Sequence, residues 1–294
     1  LEEGIELRKA GLNCHILILG NLINSEELNS SFYWDLTPTI SGIREAILCN
    51  NIAKEHNKKF PIHLKVDTGM TRLGCSCSEV GDMITKIDRL ESISLEGIYS
   101  HLASADIDLV NESLTSFTQI QLNRFKNVLN TLGQRGKFLC KHLANSAGTL
   151  SDSDLHFDMV RVGLSLYGYL PFNNFESNLN LRPALKVKAR VTFIRDVEKG
   201  IGVGYGHFFK TQRKSKLAVV AIGYADGVSR TLSGKIKASI GGVLVPQVGS
   251  IAMDQMVFDI TEKPDIRVGQ VLTLLGTDGE IFISPHSWSD LSGS

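Results

Sequence analysis

What the sequence lacks narrows its possible functions first. Lys plus Arg equals Asp plus Glu at 31 each, a formal net charge of +0, so neither sign is in excess to mark a nucleic-acid or anionic-membrane partner. No apolar run approaches the roughly 20 residues that a membrane helix requires, and no signal-peptide pattern is found. Low-complexity tracts and internal repeats are absent, and no linker is longer than the stretch from Pro171 to Pro183. Cysteine is sparse. Cys14, Cys49, Cys75, Cys77 and Cys140 lie in apolar segments, and the single C-x-C has no second pair to complete a zinc site. What is left is a soluble cytoplasmic protein with reduced thiols and no metal, acting on a small molecule or a protein partner.

What is present reads as two domains. The 294 residues, 43% hydrophobic and 21% charged, are enough for more than one core. Leu1 to Ala10 reads as a helix stopped by Gly11, and strand-like runs follow at His15 to Gly20, Ile62 to Asp67, Leu95 to His101, Phe138 to His142 and Met159 to Tyr167. Phe32 to Asp35 reads as a short further strand before a helix with Ile43, Ala46 and Ile47. Val80, Met83, Ile84, Ile87 and Leu90 follow helical spacing, as do Leu122, Phe125, Val128, Leu129 and Leu132, with Gly133 and Gly136 ending the second helix. Strict alternation of strand and helix predicts a parallel sheet under helical cover, either doubly wound or a (β/α)8 barrel. The absence of G-x-G-x-x-G after the first strand argues against a dinucleotide fold. Beyond about Pro183, two-residue alternation (Val187, Ala189, Val191, Phe193) and recurrent Gly and Pro predict an all-β domain. The expected boundaries are 1–178 and 179–294. Because the chain opens on Leu1 and ends at Ser287 to Ser294 in a polar turn, a piece of a longer protein is expected at both ends.

Candidate chemistry gathers at strand ends. Along Ile62 to Asp67 the apolar residues take one face and His63, Lys65 and Asp67 the other. A buried parallel strand is apolar on both faces, so this polar face calls for a reason. The glycine-bounded loop that follows carries Arg72, placed to fork a carboxylate or phosphate. The alternative is that Lys65 and Asp67 pair internally and Arg72 is merely solvated. Ser100-His101, His142 to Ser146 and Val160 to Gly163, with Arg161, repeat the pattern. Ser146 and the amides near Gly163 suit a phosphate, and a phosphate beside a buried lysine and an arginine suggests pyridoxal 5'-phosphate. Spacing alone selects Lys65 as the Schiff-base lysine. Gly223-Tyr224-Ala225-Asp226-Gly227 closes the run Leu217 to Ile222 and presents a phenol at a strand end, which by itself reads as ordinary packing.

Seven segments in order, KVDTGMTRLG (Lys65 to Gly74), SHLASAD (Ser100 to Asp106), HLANSAG (His142 to Gly148), MVRVGLSLYG (Met159 to Gly168), GVGYG (Gly202 to Gly206), GYADG (Gly223 to Gly227) and GSIAMDQMVFDI (Gly249 to Ile260), resemble the alanine racemase family over nearly the whole chain. The resemblance implies a pyridoxal-phosphate (β/α)8 TIM-type barrel, lacking its first two strands here, followed by a mainly β domain. It implies a head-to-tail homodimer that interconverts L- and D-alanine by a two-base mechanism and supplies D-alanine for peptidoglycan. It also corrects the choice of Lys65, which matches a structural lysine beside Arg72, carboxylated in some members.

By the same resemblance, Tyr224 is the base that one subunit offers to the other, and Arg161 is the donor that keeps the pyridine nitrogen unprotonated. His101 is linked to both. Ser146 and the backbone at Gly163 and Leu164 contact phosphate, while Arg72 and the Met253 backbone contact the substrate carboxylate. The family's Schiff-base lysine would lie before Leu1 and a phosphate-binding tyrosine after Ser294, so the 294-residue piece alone is expected to be inactive. A racemase for serine or another amino acid, and an inactive binding or assembly relative, are the alternatives.

Overall fold

The computed structural model describes residues 1–111, 116–171 and 179–293. These form two units, Leu1–Leu181 and Arg182–Ser294. The boundary expected at 178 and most of the Pro171 to Pro183 linker lie outside the described residues.

The first unit alternates helices α1 (Glu2–Lys9), α2 (Ser25–Tyr33), α3 (Ile43–Glu55), α4 (Val80–Ile87), α5 (Ala105–Asn111), α6 (Phe117–Thr131), α7 (Gly133–Gly136) and α8 (Ser146–Ser151) with strands β1 (Leu17–Asn21), β2 (Thr37–Ile40), β3 (Phe60–Asp67), β4 (Cys75–Ser76), β5 (Ile93–Tyr99) and β6 (Cys140–His142). Strands β1, β2, β3, β5 and β6 are neighbours in chain order and all parallel, with β4 alongside the end of β3. A doubly wound sheet reverses its strand order. This one does not, and it is the arc of a (β/α) barrel.

Helical periodicity explains the cover. Val80, Ile84 and Ile87 are the buried face of α4, and Leu122, Phe125 and Val128 that of α6. They meet Ile62, Leu64 and Val66 of β3 and Ile98 of β5 in one apolar core, where each fully buried aliphatic side chain contributes about 1.5–3 kcal/mol.

Two expected elements of this unit differ in kind. Phe32 and Tyr33 end helix α2 rather than starting a strand, because Asn24 accepts from the Glu27 amide as N-cap and Glu26 and Glu27 fill the positive first turn. The strand begins instead at Thr37. Gly133, at φ +51°, ends α6 as expected, and a short further turn, α7, runs on to Gly136. The run from Met159 to Tyr167 forms only a bridge, His142 to Met159, and then a 3₁₀ turn at Leu164–Tyr167. Here the amides of Gly163 and Ser165 turn to the Ser146 hydroxyl, not to a strand ladder.

The second unit holds β7 (Val187–Val197), β8 (Gly202–Val203), β9 (Phe209–Lys210), β10 (Ser215–Val220), β11 (Lys237–Ile240), β12 (Val243–Val248), β13 (Met256–Asp259), β14 (Val271–Asp278) and β15 (Ile281–Ile283). The order β11-β12-β13-β10-β7-β14 is antiparallel, and Ser239 on β11 pairs with Thr273 on β14. That pairing closes the strands into a ring around Val191, Ala218, Val220, Phe258, Leu272 and Leu274. The segment Ser287 to Ser294, expected as a turn, is mostly helix: α9 (Pro285–Ser292) is capped by Ser284, begins on Pro285 and stops at Gly293 with φ +74°. No described helix is long and apolar enough to cross a membrane.

Candidate active site

The carboxyl ends of parallel strands are where a barrel carries its chemistry, and in the first unit β3, β5 and β6 converge there. Side chains alternate along a strand. While Ile62, Leu64 and Val66 enter the core, His63 and Lys65 are buried on the opposite face at 9% and 5% exposure. The Lys65 ammonium lies 5.5 Å from the Tyr99 ring, and its pKa is lowered by burial first, then by Arg72 and Arg161. Among the described residues Lys65 has no ion pair. The internal Lys65–Asp67 pair is therefore not formed. The Asp67 carboxylate instead accepts from the amides of Gly69 and Thr71 at 2.8 and 3.1 Å, shaping the loop that carries exposed Arg72. Gly74, with φ +115°, returns this loop to β4, where a Cβ would stand 2.8 Å from the Asp67 amide nitrogen.

Arg161 is the hub. Its Nη1 donates to Nδ1 of His142 at 2.6 Å, and Nη2 reaches the carbonyls of Ser100 (2.7 Å) and Leu143 (3.1 Å) and Nδ1 of His101 (3.4 Å). The guanidinium sits 4.9 Å over the Tyr99 ring, and Tyr99 stacks on His142 at 4.4 Å. Burial lowers the Arg161 pKa to about 10, which leaves it a cation at neutral pH. Burial, then Arg161, holds His142 at about 2 and His101 at about 4. Both imidazoles are neutral at pH 7. Among the described residues the buried Arg161 Nε has no hydrogen-bond partner.

Ser146 opens α8, whose cap is the Asn145 side chain accepting from Gly148. The Ser146 oxygen accepts from the amides of Gly163 (2.9 Å) and Ser165 (3.3 Å). Among the described residues no acceptor takes its own proton, and the buried Ser165 hydroxyl beside it is unpartnered. Leu164 starts the 3₁₀ turn with its side chain 47% exposed.

In the second unit, Tyr224 and Met253 are held together by backbone. The Gly223 amide donates to the Asp226 carboxylate at 2.9 Å, folding residues 224–226 into a 3₁₀ turn that ends at Gly227 with φ +98°. The Tyr224 amide then donates to the Ala252 carbonyl (3.0 Å), and that of Ala225 to the Met253 carbonyl (2.8 Å). Both side chains face outward, Tyr224 40% and Met253 59% exposed, with Arg230 5.8 Å from the phenol ring.

The structure thus joins Arg161 to His101 and Ser146 to Gly163, sets Lys65 against the same tyrosine as Arg161, and couples Tyr224 to Met253. The sequence reading missed three supporting residues. Tyr99 anchors its hydroxyl on Thr39 at 2.8 Å. Gln121, fully buried, receives the Ala103 amide and donates to Thr68 and to the His101 carbonyl. A glutamine on the apolar face of α6 was the signal for the last; nothing local marked Tyr99.

Comparison with known proteins agrees over both units. Residues 1–171 match the family model for the alanine racemase N-terminal domain, and 184–294 that for the C-terminal domain. The alanine racemase of Prochlorococcus marinus is 58% identical over 294 residues, covering 100% of this chain and 76% of that one. A solved alanine racemase from Clostridium difficile 630 superposes with a TM-score of 0.90 at 35% identity, covering 100% of this chain and 75% of its own. One from Bartonella henselae with covalently bound pyridoxal phosphate gives 0.84 at 31% identity, covering 100% and 78%. The chain belongs to the alanine racemase family.

Proposed function

We propose that this protein is a pyridoxal 5'-phosphate-dependent alanine racemase that interconverts L- and D-alanine in the cytoplasm as a homodimer, supplying D-alanine for peptidoglycan. The buried Arg161, with Nε unpartnered and its neighbouring imidazoles neutral, is the observation that carries this reading. A guanidinium can only donate, and its free N–H suits the unprotonated ring nitrogen of the cofactor. The Ser146 hydroxyl proton and the Leu164 amide suit the phosphate, which would also have to draw the Gly163 amide away from the Ser146 oxygen. When bound, the pyridoxal group supplies a sink for the electrons left when the α-proton departs.

The remaining roles fall to the chain's own groups. Arg161, cationic at neutral pH, would hold the ring nitrogen as an acceptor without a proton of its own, a weaker sink that would favour return of a single proton over further reaction. Arg72 and the Met253 backbone take the substrate carboxylate. Tyr224 of one subunit, steadied by His101 of the other, removes or returns the proton at the α-carbon. Lys65 is structural, and no residue of this chain is assigned the covalent link to the cofactor. The domain boundaries at 178 and 179 remain part of this reading. The test is direct: the full-length protein, loaded with pyridoxal phosphate and given L-alanine in deuterated water, forms D-alanine with deuterium at the α-carbon. Turnover of L-serine but not L-alanine would replace the substrate, and no exchange with either would remove the activity.

A further inference from the structure

His142 and His63 are buried titratable groups to which the reading above gives no task. His142 is 0% and His63 9% exposed. They lie on neighbouring parts of the barrel face, joined through Nε2 of His142 and Nδ1 of His63 at 3.0 Å. Neither ring is free to turn. That of His142 stacks on Tyr99 with 10° between planes. That of His63 occupies the space over Gly97, where even a Cβ would fall 2.2 Å from it.

Direction follows from what each nitrogen can do. The Arg161 guanidinium has no lone pair to offer, so Nδ1 of His142 at 2.6 Å must accept. A neutral imidazole that accepts at Nδ1 carries its proton at Nε2. That proton points at Nδ1 of His63, which must accept in turn, leaving His63 protonated at Nε2. The low pKa values that burial imposes on both, about 2 for His142 and about 4 for His63, agree with two neutral rings.

We propose that His142 and His63 are positioning residues for Arg161: a one-way chain of donors, Arg161 to His142 to His63, fixes both tautomers and holds the Nη1 side of the guanidinium inward. Nε is then left as the N–H without a protein partner. Only the link from this chain to catalysis rests on the racemase reading; the chain itself does not.

The test has two arms that can fail separately. In the cofactor-free protein with ¹⁵N-labelled histidine, long-range proton–nitrogen correlation at pH 7 reads each tautomer. Protons at Nε2 of both His142 and His63 are expected, and a proton at Nδ1 of either overturns the proposal. In the loaded full-length protein, His142→Phe keeps a ring over Tyr99 but removes the acceptor, whereas His142→Asn keeps an acceptor at the same point. The Phe variant is expected to shift the absorbance maximum of the bound cofactor and to lower kcat about tenfold or more. Its KM for alanine should stay within about twofold, and Asn should recover part of both losses. Phe and Asn variants that behave alike in spectrum and kcat overturn the positioning role. Expected tautomers in a protein without alanine turnover overturn the racemase reading and leave the chain of donors standing.

Discussion

The imidazole of His63 packs over the α-carbon of Gly97 on the adjacent strand, so that a Cβ there would stand 2.2 Å from Cε1 and 2.3 Å from Nδ1. Glycine here provides space. Gly97→Ala forces the ring or the strand to move, an overpacking cost of about 1–3 kcal/mol. Urea denaturation should show a lowered midpoint. An unchanged midpoint would mean that the ring has room to shift.

Gly223 plays the corresponding part in the second unit, since its Cβ would fall 2.3 Å from the Ala252 carbonyl oxygen and 2.5 Å from the Met253 carbonyl group. Gly223→Ala should pull Tyr224 away from Met253 and lower kcat/KM by about tenfold or more. The absorbance of the bound cofactor, whose proposed contacts Arg161 and Ser146 lie in the first unit, should persist. Wild-type turnover in this variant would show that the two residues need not be coupled.

Removal of the phenol itself is the sharper test of Tyr224 as a base. Tyr224→Phe keeps the ring and its contact with Arg230 and loses only the hydroxyl. Racemisation should fall to background with the cofactor spectrum unchanged, and a variant with equal kcat removes Tyr224 from the mechanism.

Stability should fall on acidification. His63 and His101 are held at about 4 and His142 at about 2, against an ordinary value of 6.5. Between pH 6.5 and about 4 the unfolded chain therefore binds protons that the folded one does not. Stability drops in that window as pH falls, by about 1.4 kcal/mol per pH unit for each proton of difference. Above 6.5 these three groups add no slope. Urea midpoints measured from pH 7.5 to 5 give the slope, which His142→Phe should make shallower.

Gln121 braces the loop after β5 from α6. Gln121→Leu preserves the helix but leaves the Thr68 hydroxyl, the Ala103 amide and the His101 carbonyl without this partner, at a cost of about 2–4 kcal/mol. Thermal unfolding of the variant checks the figure. A loss of under about 0.5 kcal/mol would mean that water takes its place.

The amphipathic helices α4 and α6 were legible because a helix packed on one side repeats its apolar residues every three or four positions. Strand β3 was legible for the same reason at period two. Helix α2 was not: its signal is the Asn24 cap and two glutamates, while Phe32 to Asp35 carry the aromatic residues that a strand favours. The stretch Met159 to Tyr167 misled because an apolar run does not reveal that its amides serve Ser146. At the site, strand-end position singled out Arg161, His101 and Ser146, whereas Tyr224 was marked only by the resemblance. The contact of His63 with His142 joins residues 79 apart, and no local pattern encodes such a partner. The absent Lys65–Asp67 pair is similar, since it depends on the two loop amides that claim the carboxylate.

On β3 the residues that build the core, Ile62, Leu64 and Val66, alternate one by one with the residues that face the site, His63, Lys65 and Asp67. An insertion or deletion of one residue here would exchange the two sets, because a shift of a single position turns every side chain to the other face. In a mutational library this strand should behave as a block that tolerates little change, and so should Gly69 and Gly74 in the loop that follows, whose positive φ and close neighbours leave no room for a Cβ.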